Sequence, residues 1–201
     1  MAHRCRKSPL RSSVMNQIPG WSANAEASTA LDELLVTQMP DADIALFKKA
    51  MRRLTATVTL IATEHEGTPY GMAATAVSSV CTSPPSILVC INHSASVYLP
   101  LVEQGKFSVS LLQAGQEELV SVFGGAVNGP ARFASGDWQH EQGVPYLRTA
   151  QATLFCSVAQ RITYGTHEII IGLVEKTTVA ELISPLLWQD GKPAISVPLV
   201  A

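Results

Sequence analysis

Two long β-rich segments, Gln151 to Thr163 and His167 to Val179, are separated only by Tyr164-Gly165-Thr166. This feature constrains the fold more than any other, because a short glycine-bearing loop joins antiparallel strands, whereas a parallel pair needs a long crossover. The two segments are read as one long hairpin. Thr55 to Thr63, rich in Thr and Val, reads as a strand that closes on a polar turn at Glu64 to Gly67, and a second strand begins near Pro69. Ser86 to Asn92 and Lys106 to Leu112 are continuous apolar runs of strand length. A last short strand is expected near Pro193 to Val197, after Asp190-Gly191.

Helical patterning is brief and isolated. After Pro40, Asp41 or Asp43 can cap a helix with Ile44, Phe47, Met51 and Leu54 on one face and Lys48, Lys49 and Arg52 on the other. Ser94 or Ser96 can cap a short helix ended by Gly105, and Gln116 to Phe123 reads as another, followed by a loop at Gly124 to Pro130. Strands joined mostly by turns, with only short helices between them, predict a mainly β, antiparallel barrel rather than a parallel α/β sheet.

At 201 residues the chain has room for one ordinary domain and a tail. Residues 1–38 divide into a basic piece (His3, Arg4, Arg6, Lys7, Arg11) and a polar, Ala/Ser-rich piece, with Leu31 to Val36 a candidate docking helix. They are expected to form a flexible extension in which Met15 is a second candidate start, and residues 39–201 to form the domain. Hydrophobic residues make up 47% and charged residues 15%, so much apolar surface is left for another subunit to cover. An oligomer is expected.

The formal charge of -2 supplies no basic field for nucleic acid or an anionic membrane, and no stretch has the length of an apolar membrane span. Cys5, Cys81, Cys90 and Cys156 show no CxxC pair and no zinc spacing, so they read as reduced thiols, with no metal. A cytoplasmic protein fits this pattern.

GxSxG, HExxH, GxxxxGK[ST] and a GxGxxG between strand and helix are all absent. Gly124, Gly125 and Gly129 resemble a phosphate loop only superficially, since no Lys-Ser/Thr pair follows them. The segment Gly71-Met72-Ala73-Ala74-Thr75-Ala76-Val77-Ser78-Ser79-Val80 places small residues where a strand normally carries larger ones. Small residues let a flat ligand such as an isoalloxazine ring approach backbone N–H and C=O groups, with the hydroxyls of Thr75, Ser78 and Ser79 near a ribityl chain. They also occur at tight barrel corners. The residues alone leave both readings open.

The motifs, taken in order, resemble the flavin reductase-like domain family, short-chain reductases that supply reduced flavin to two-component monooxygenases. The resemblance spans residues 43–197. A helix FKKAMRRL leads into a strand TVTLIAT, followed by GMAATAVSSVCTSPP at residues 71–85 and ILVCINHSAS at residues 87–96. F-x-V-x-x-L and QEEL lie within residues 107–119, Arg132-Phe133 follows, and GTHEIIIGLV and PLLW stand at residues 165–174 and 185–188.

The resemblance implies an antiparallel split β-barrel of the FMN-binding type with a few short flanking helices, and a homodimer with flavin near the subunit interface. It also implies reduction of FMN or FAD by NADH or NADPH without a Rossmann domain, and delivery of reduced flavin to a partner monooxygenase. Carried over by position, Met72, Ala73, Ala74, Thr75, Ala76 and Ser78 lie along the flavin ring and ribityl chain. Asn92, His93, Ser94 and Ser96 lie by the phosphate, with Ser94 at a helix N-terminus, and Ser110 stands beside the ring.

Phe133 is a further stacking candidate, although aromatic residues in β-proteins more often pack in the core. His167 is singled out for a direct role beside flavin and nicotinamide; the competing reading is a strand histidine satisfied by a turn carbonyl. The sequence departs from the family at Ala73, where Thr is common, at Thr75, where Asn is common, and at Cys81, where Ser is common. Trp188 replaces a closing Tyr, and Lys192-Pro193-Ala194 replaces an Arg/Tyr-rich tail. The alternative to a reductase is a flavin-binding barrel that acts as an electron carrier or flavin store without turnover.

Overall fold

The structure, a computed structural model, describes residues 40–199. The expected extension, residues 1–38, and its candidate helix lie outside the described residues. Helix α1 (Asp41–Met51) carries Asp41 and Asp43 in its first turn and Lys48 and Lys49 in its last, the order that the helix dipole favours. Met51 and Leu54, expected on an apolar face, are exposed.

The rest is mainly β. The strands run β1 (Ala56–Thr57), β2 (Thr59–His65), β3 (Thr68–Ala74), β4 (Val77–Thr82), β5 (Pro85–Asn92), β6 (Lys106–Leu111), β7 (Trp138–Glu141), β8 (Val144–Leu147), β9 (Ala152–Tyr164), β10 (His167–Val179), β11 (Leu186–Gln189) and β12 (Lys192–Ile195). Seven form one sheet in the order β3-β2-β6-β9-β10-β5-β4, with every pairing antiparallel. β1-β11-β12 and β7-β8 form two smaller sheets.

The two edges of the large sheet, β3 and β4, are consecutive in the chain and joined only by Thr75 and Ala76. A link that short spans about 10 Å, so the sheet must curl until its edges meet at this corner. Hydrogen bonds do not close it: β3 pairs only with β2, and β4 only with β5.

The expected hairpin is present, with Tyr164 opposite His167 and Gly165-Thr166 as its turn. Register shifts at Ile171/Gly172 and Val174/Lys176 leave Ala159 of β9 and Glu175 of β10 unpaired and bend the hairpin. A Cβ at Gly172 would meet the Phe107 ring at 2.7 Å, so only glycine lets the strand pass this close.

Asp190-Gly191 turns β11 into β12, and both residues have positive φ, as a two-residue hairpin requires. Gln142-Gly143 does the same between β7 and β8, a hairpin the sequence reading did not expect. Its outer residues Gln139, His140 and Glu141 are polar, and only Val144, Pro145 and Leu147 supply buried positions. That is too short a pattern to stand out.

β2 explains how the layers stack. Successive side chains on a strand point to opposite faces, and Leu60 and Ile61 enter two different cores. Ile61 joins Val89, Ile91, Phe107, Val109 and Ile170, whereas Leu60 joins Val58, Leu119, Phe123, Leu147 and Leu186. Each fully buried side chain of this size contributes about 1.5–3 kcal/mol. β2 is therefore clamped from both sides, and β3, paired to it along its whole length, inherits a fixed position.

Two helix expectations need correction. Helix α2 (Tyr98–Gln104) begins after Val97 with no side-chain cap, so neither Ser94 nor Ser96 caps it. The Ser94 hydroxyl donates instead to Asn92 Oδ1, at 2.8 Å. Gly105 does end the helix as expected, at φ 71°, with its N–H donating to the Leu101 carbonyl. Helix α3 (Glu117–Ser121) is shorter than expected and runs into a π-type turn, Val122–Ala126, followed by a 3-10 turn, Gly129–Ala134.

Candidate functional site

A groove opens beside the free edge of β3. Its volume is 370 Å³, and Met72 and Ala73, Ser94 to Ser96, Gly124 and Gly125, and Arg132 supply most of its wall. It continues past Ala73 and Gly124 into a second depression of 220 Å³ lined by Ala74, Thr75, Val120 and Trp188.

Three local features build this place. Gly71 lets the turn after α3 pack onto β3: an added Cβ would meet the Phe123 ring at 2.9 Å and the Ile61 carbonyl at 3.1 Å. Phe123 is held in turn by Phe133 and Trp138, with ring centroids 5.3 and 5.2 Å away. Gly124 and Gly125, expected in a loop, are thereby placed over the strand and line the groove, without a phosphate-loop pattern around them.

Arg132 is the second feature. Its Nε donates to the Val127 carbonyl at 2.6 Å and its Nη1 to the Gly71 carbonyl at 2.7 Å, so the guanidinium is locked between the loop and the strand. The same Nη1 lies 3.5 Å from Ser96 Oγ across the groove. Among the described residues no carboxylate pairs with it. A fixed, uncompensated guanidinium beside hydroxyls is suited to an anion, above all to phosphate. The sequence marks Arg132 only within the Arg132-Phe133 motif, and the fold brings it onto the groove wall.

The third feature is the edge itself. The Thr59 hydroxyl donates to the Ala74 carbonyl at 2.8 Å, on the β2 side, whereas the Gly71 carbonyl points away to Arg132. Backbone groups alternate along a strand, so the N–H and C=O of Ala73 face the unpaired edge and the groove. Ala73 offers no side chain beyond Cβ to block them.

The expected residues distribute unevenly. Met72, Ala73, Ser94 and Ser96 line the first cavity, and Ala73, Ala74 and Thr75 the second. Thr75 and Ser78 line a separate cavity with Thr59 and Ile87, and Ala76 lies exposed in the corner link. Asn92 acts on the wall from behind, its Oδ1 accepting both the N–H and the hydroxyl of Ser94 at 2.9 and 2.8 Å. Ser94 has no helix N-terminus to use, because α2 starts at Tyr98.

Phe133 packs against Phe123 and Trp138, behind the loop. Ser110, placed beside the ring only by the resemblance, is fully buried, bonded to Thr153 and to the Leu147 N–H, and lines neither cavity. His167 is exposed at the start of β10, opposite Asn92, with its Nδ1 2.9 Å from the Thr166 hydroxyl. It lines neither cavity, and its ring bonds a hydroxyl of the turn.

One buried charge was not foreseen. Glu168 is 3% exposed, and its Oε2 accepts from the Thr163 hydroxyl at 2.9 Å and lies 3.1 Å from His93 Nε2. Burial pushes its carboxyl up, but the bonds from Thr163 and His93 and the charges of Arg161 and His93 outweigh this and hold it below the usual range.

Residues 51–195 match the sequence pattern of the flavin reductase like domain. The chain is 39% identical over 155 residues to the reductase component of an FADH(2)-dependent resorcinol hydroxylase from a Rhizobium species, covering 76% of this chain and 87% of that one. It is 45% identical over 125 residues to an FMN reductase (NADH) RutF from Pseudomonas syringae, covering 62% and 70%. The NADH:FAD oxidoreductase SgcE6 of Streptomyces globisporus superposes with a TM-score of 0.73 at 26% identity, covering 83% of this chain and 95% of that one. The groove, the ordered motifs and these similarities agree: the chain belongs to the flavin reductase like domain family.

Proposed function

We propose that this protein reduces FMN or FAD at the expense of NADH or NADPH, with the flavin laid along the free edge of β3 and its phosphate toward Arg132. The observation that carries the reading is one groove that joins an unpaired backbone edge at Ala73 to an unpaired guanidinium at Arg132. Flavin combines a flat ring with a polar edge and an anionic tail, and the groove offers a counterpart to each. The relative named FMN reductase (NADH) and the one named as a reductase component support the activity, and the first favours NADH as the donor.

Flavin and reduced nicotinamide, when bound, would themselves supply the hydride chemistry. The chain's own residues bind and align. Arg132 and Ser96 hold the phosphate, with Gly124 and Gly125 walling the same cavity, and Ala73 pairs the ring edge through its backbone. Ala74 and Thr75 leave room beside the ring, and Trp188 walls the far end. Met72, Ala76 and Ser78 flank the ring and ribityl chain, Asn92 and His93 support the phosphate wall, and His167 contacts the nicotinamide. Alignment of two reactants is itself a large catalytic effect, which is why no acid–base pair is required.

Reduced flavin then passes to a partner monooxygenase. The curled sheet, with consecutive strands at its two edges, supports a split barrel. The exposed strand β4, with Val80 48% exposed, supports a homodimer that covers this face. Among the described residues no helix is long and apolar enough to cross a membrane, and a cytoplasmic enzyme accords with the reduced cysteines.

The test is turnover. Purified protein mixed with NADH or NADPH and an excess of FMN, FAD or riboflavin is expected to consume the reduced nicotinamide. Tight flavin that neither nucleotide reduces would instead make the protein a carrier or store, and no reaction in any pairing would sink the reductase reading.

A further inference from the structure

Glu168 stands in a strand that is otherwise apolar at its buried positions, between His167 and Ile169-Ile170-Ile171. A carboxylate in such a place costs several kcal/mol unless it is paired and hydrogen-bonded. Here it is: the Thr163 hydroxyl donates at 2.9 Å, His93 Nε2 lies at 3.1 Å, and Arg161 Nε lies 3.9 Å from the other oxygen. Thr163 and Arg161 belong to the same hairpin as Glu168. His93 does not; it follows β5 and leads directly into the groove wall.

His93 is held from three sides. Its N–H donates to the Thr166 carbonyl at 3.0 Å, its ring lies 4.8 Å from that of Tyr98, and its Nε2 meets Glu168. The next residues, Ser94 to Ser96, face Arg132 across the groove. Asn92 Oδ1 ties Ser94 to the residue before His93, so the turn moves as one piece with the histidine. The position of the hydroxyl wall relative to the guanidinium is therefore set from the neighbouring strand β10.

We propose that Glu168 is a positioning residue for phosphate recognition: through His93 it fixes the turn Asn92 to Ser96 at the separation from Arg132 that a flavin phosphate requires. The proposal rests on the reading of the groove as a flavin site. It assigns the buried carboxylate a role in choosing phosphorylated flavins over riboflavin, which lacks the phosphate but keeps the ring.

Dissociation constants of FMN and riboflavin, read by flavin fluorescence, test it in the wild type and in Glu168→Ala, Glu168→Gln, His93→Ala and the double alanine variant. Glu168→Ala is expected to weaken FMN about tenfold and riboflavin by less than about twofold, with kcat at saturating FMN retained. Glu168→Gln, which keeps an acceptor for His93 and Thr163, is expected to restore most of the preference. His93→Ala should match Glu168→Ala, and the double variant should lose no more than either.

Equal weakening of both flavins, or unchanged FMN binding, would overturn the proposal, because a merely structural role does not discriminate between them. Should Glu168→Ala fail to fold, His93→Ala carries the comparison, since that side chain is 33% exposed, lies outside the strands, and leaves the Thr163 hydroxyl bonded to Glu168. A wild type that binds the two flavins equally would remove the phosphate reading of the groove, and this proposal with it. A wild type that prefers FMN and a Glu168→Ala that prefers it as strongly would remove the proposal alone.

Discussion

Arg132 makes two bonds to backbone carbonyls and still presents its charge to a cavity, so one residue both shapes the site and supplies its field. The two roles separate experimentally. Arg132→Ala is expected to raise KM for FMN about tenfold or more and to affect riboflavin less, because a charge-assisted bond to phosphate is lost. It should also lower unfolding stability by about 1–3 kcal/mol, since the carbonyls of Gly71 and Val127 lose their donor. Arg132→Lys should rescue the binding only in part, because one ammonium cannot span two carbonyls and an anion in a fixed plane. His167 bonds the Thr166 hydroxyl rather than a turn carbonyl, and it lies exposed at the start of β10, opposite Asn92 at the end of β5. His167→Ala is expected to raise KM for the nicotinamide or slow flavin reduction several-fold with flavin affinity kept, and unchanged stopped-flow traces would return it to a purely structural role.

At the scale of elements, the site is the consequence of one edge strand and the turn laid over it. β3 is rigid because β2 is buried on both faces, and the turn Val122–Ala126 is placed because Phe123 lies directly over Gly71. Gly71→Ala puts a methyl group 2.9 Å from that ring and 3.1 Å from the Ile61 carbonyl. Overpacking of this kind costs about 1–3 kcal/mol, and the cheapest relief is to lift the loop. The variant is therefore expected to lose flavin affinity out of proportion to its loss of stability in urea, and a fall in stability with unchanged flavin affinity would contradict the packing argument. The hairpin β9–β10 is the opposite kind of element: its ends were readable to within a residue because its length, turn and β-branched content all agree locally. Helix α2 was misread at its start because serine was taken as a cap where its hydroxyl had a nearer partner in Asn92.

Among the described residues the large sheet is open, its two edge strands meeting at a corner without pairing, and an exposed edge invites a second chain. β4 is exposed along Ser78 to Thr82, and few charges guard it. In sedimentation, the wild type is expected at twice the mass of the chain, and Val80→Glu at a lower mass or a weaker association, because a carboxylate in an apolar interface is left unpaired. A monomeric wild type would remove the homodimer from the proposed function.

The sequence by itself determined the class of fold, because strand periods, two-residue turns and the order of motifs are local properties that each segment declares without its neighbours. It also marked the strip Gly71 to Thr75 by its small residues, while leaving a ligand cradle and a tight corner both open, and the turn Asn92 to Ser96 entered only through the order of motifs. What faces what was decided only by the tertiary structure. The guanidinium of Arg132 is 61 residues from the carbonyl it holds, and Glu168 is 75 from the histidine it meets. No periodicity encodes such distances. Ser110 shows the same limit from the other side: the resemblance alone placed it beside the ring, and its hydroxyl bonds inward to Thr153 and the Leu147 N–H. Composition can say that a polar group must find a partner, and only packing chooses whether the partner is the protein or the flavin.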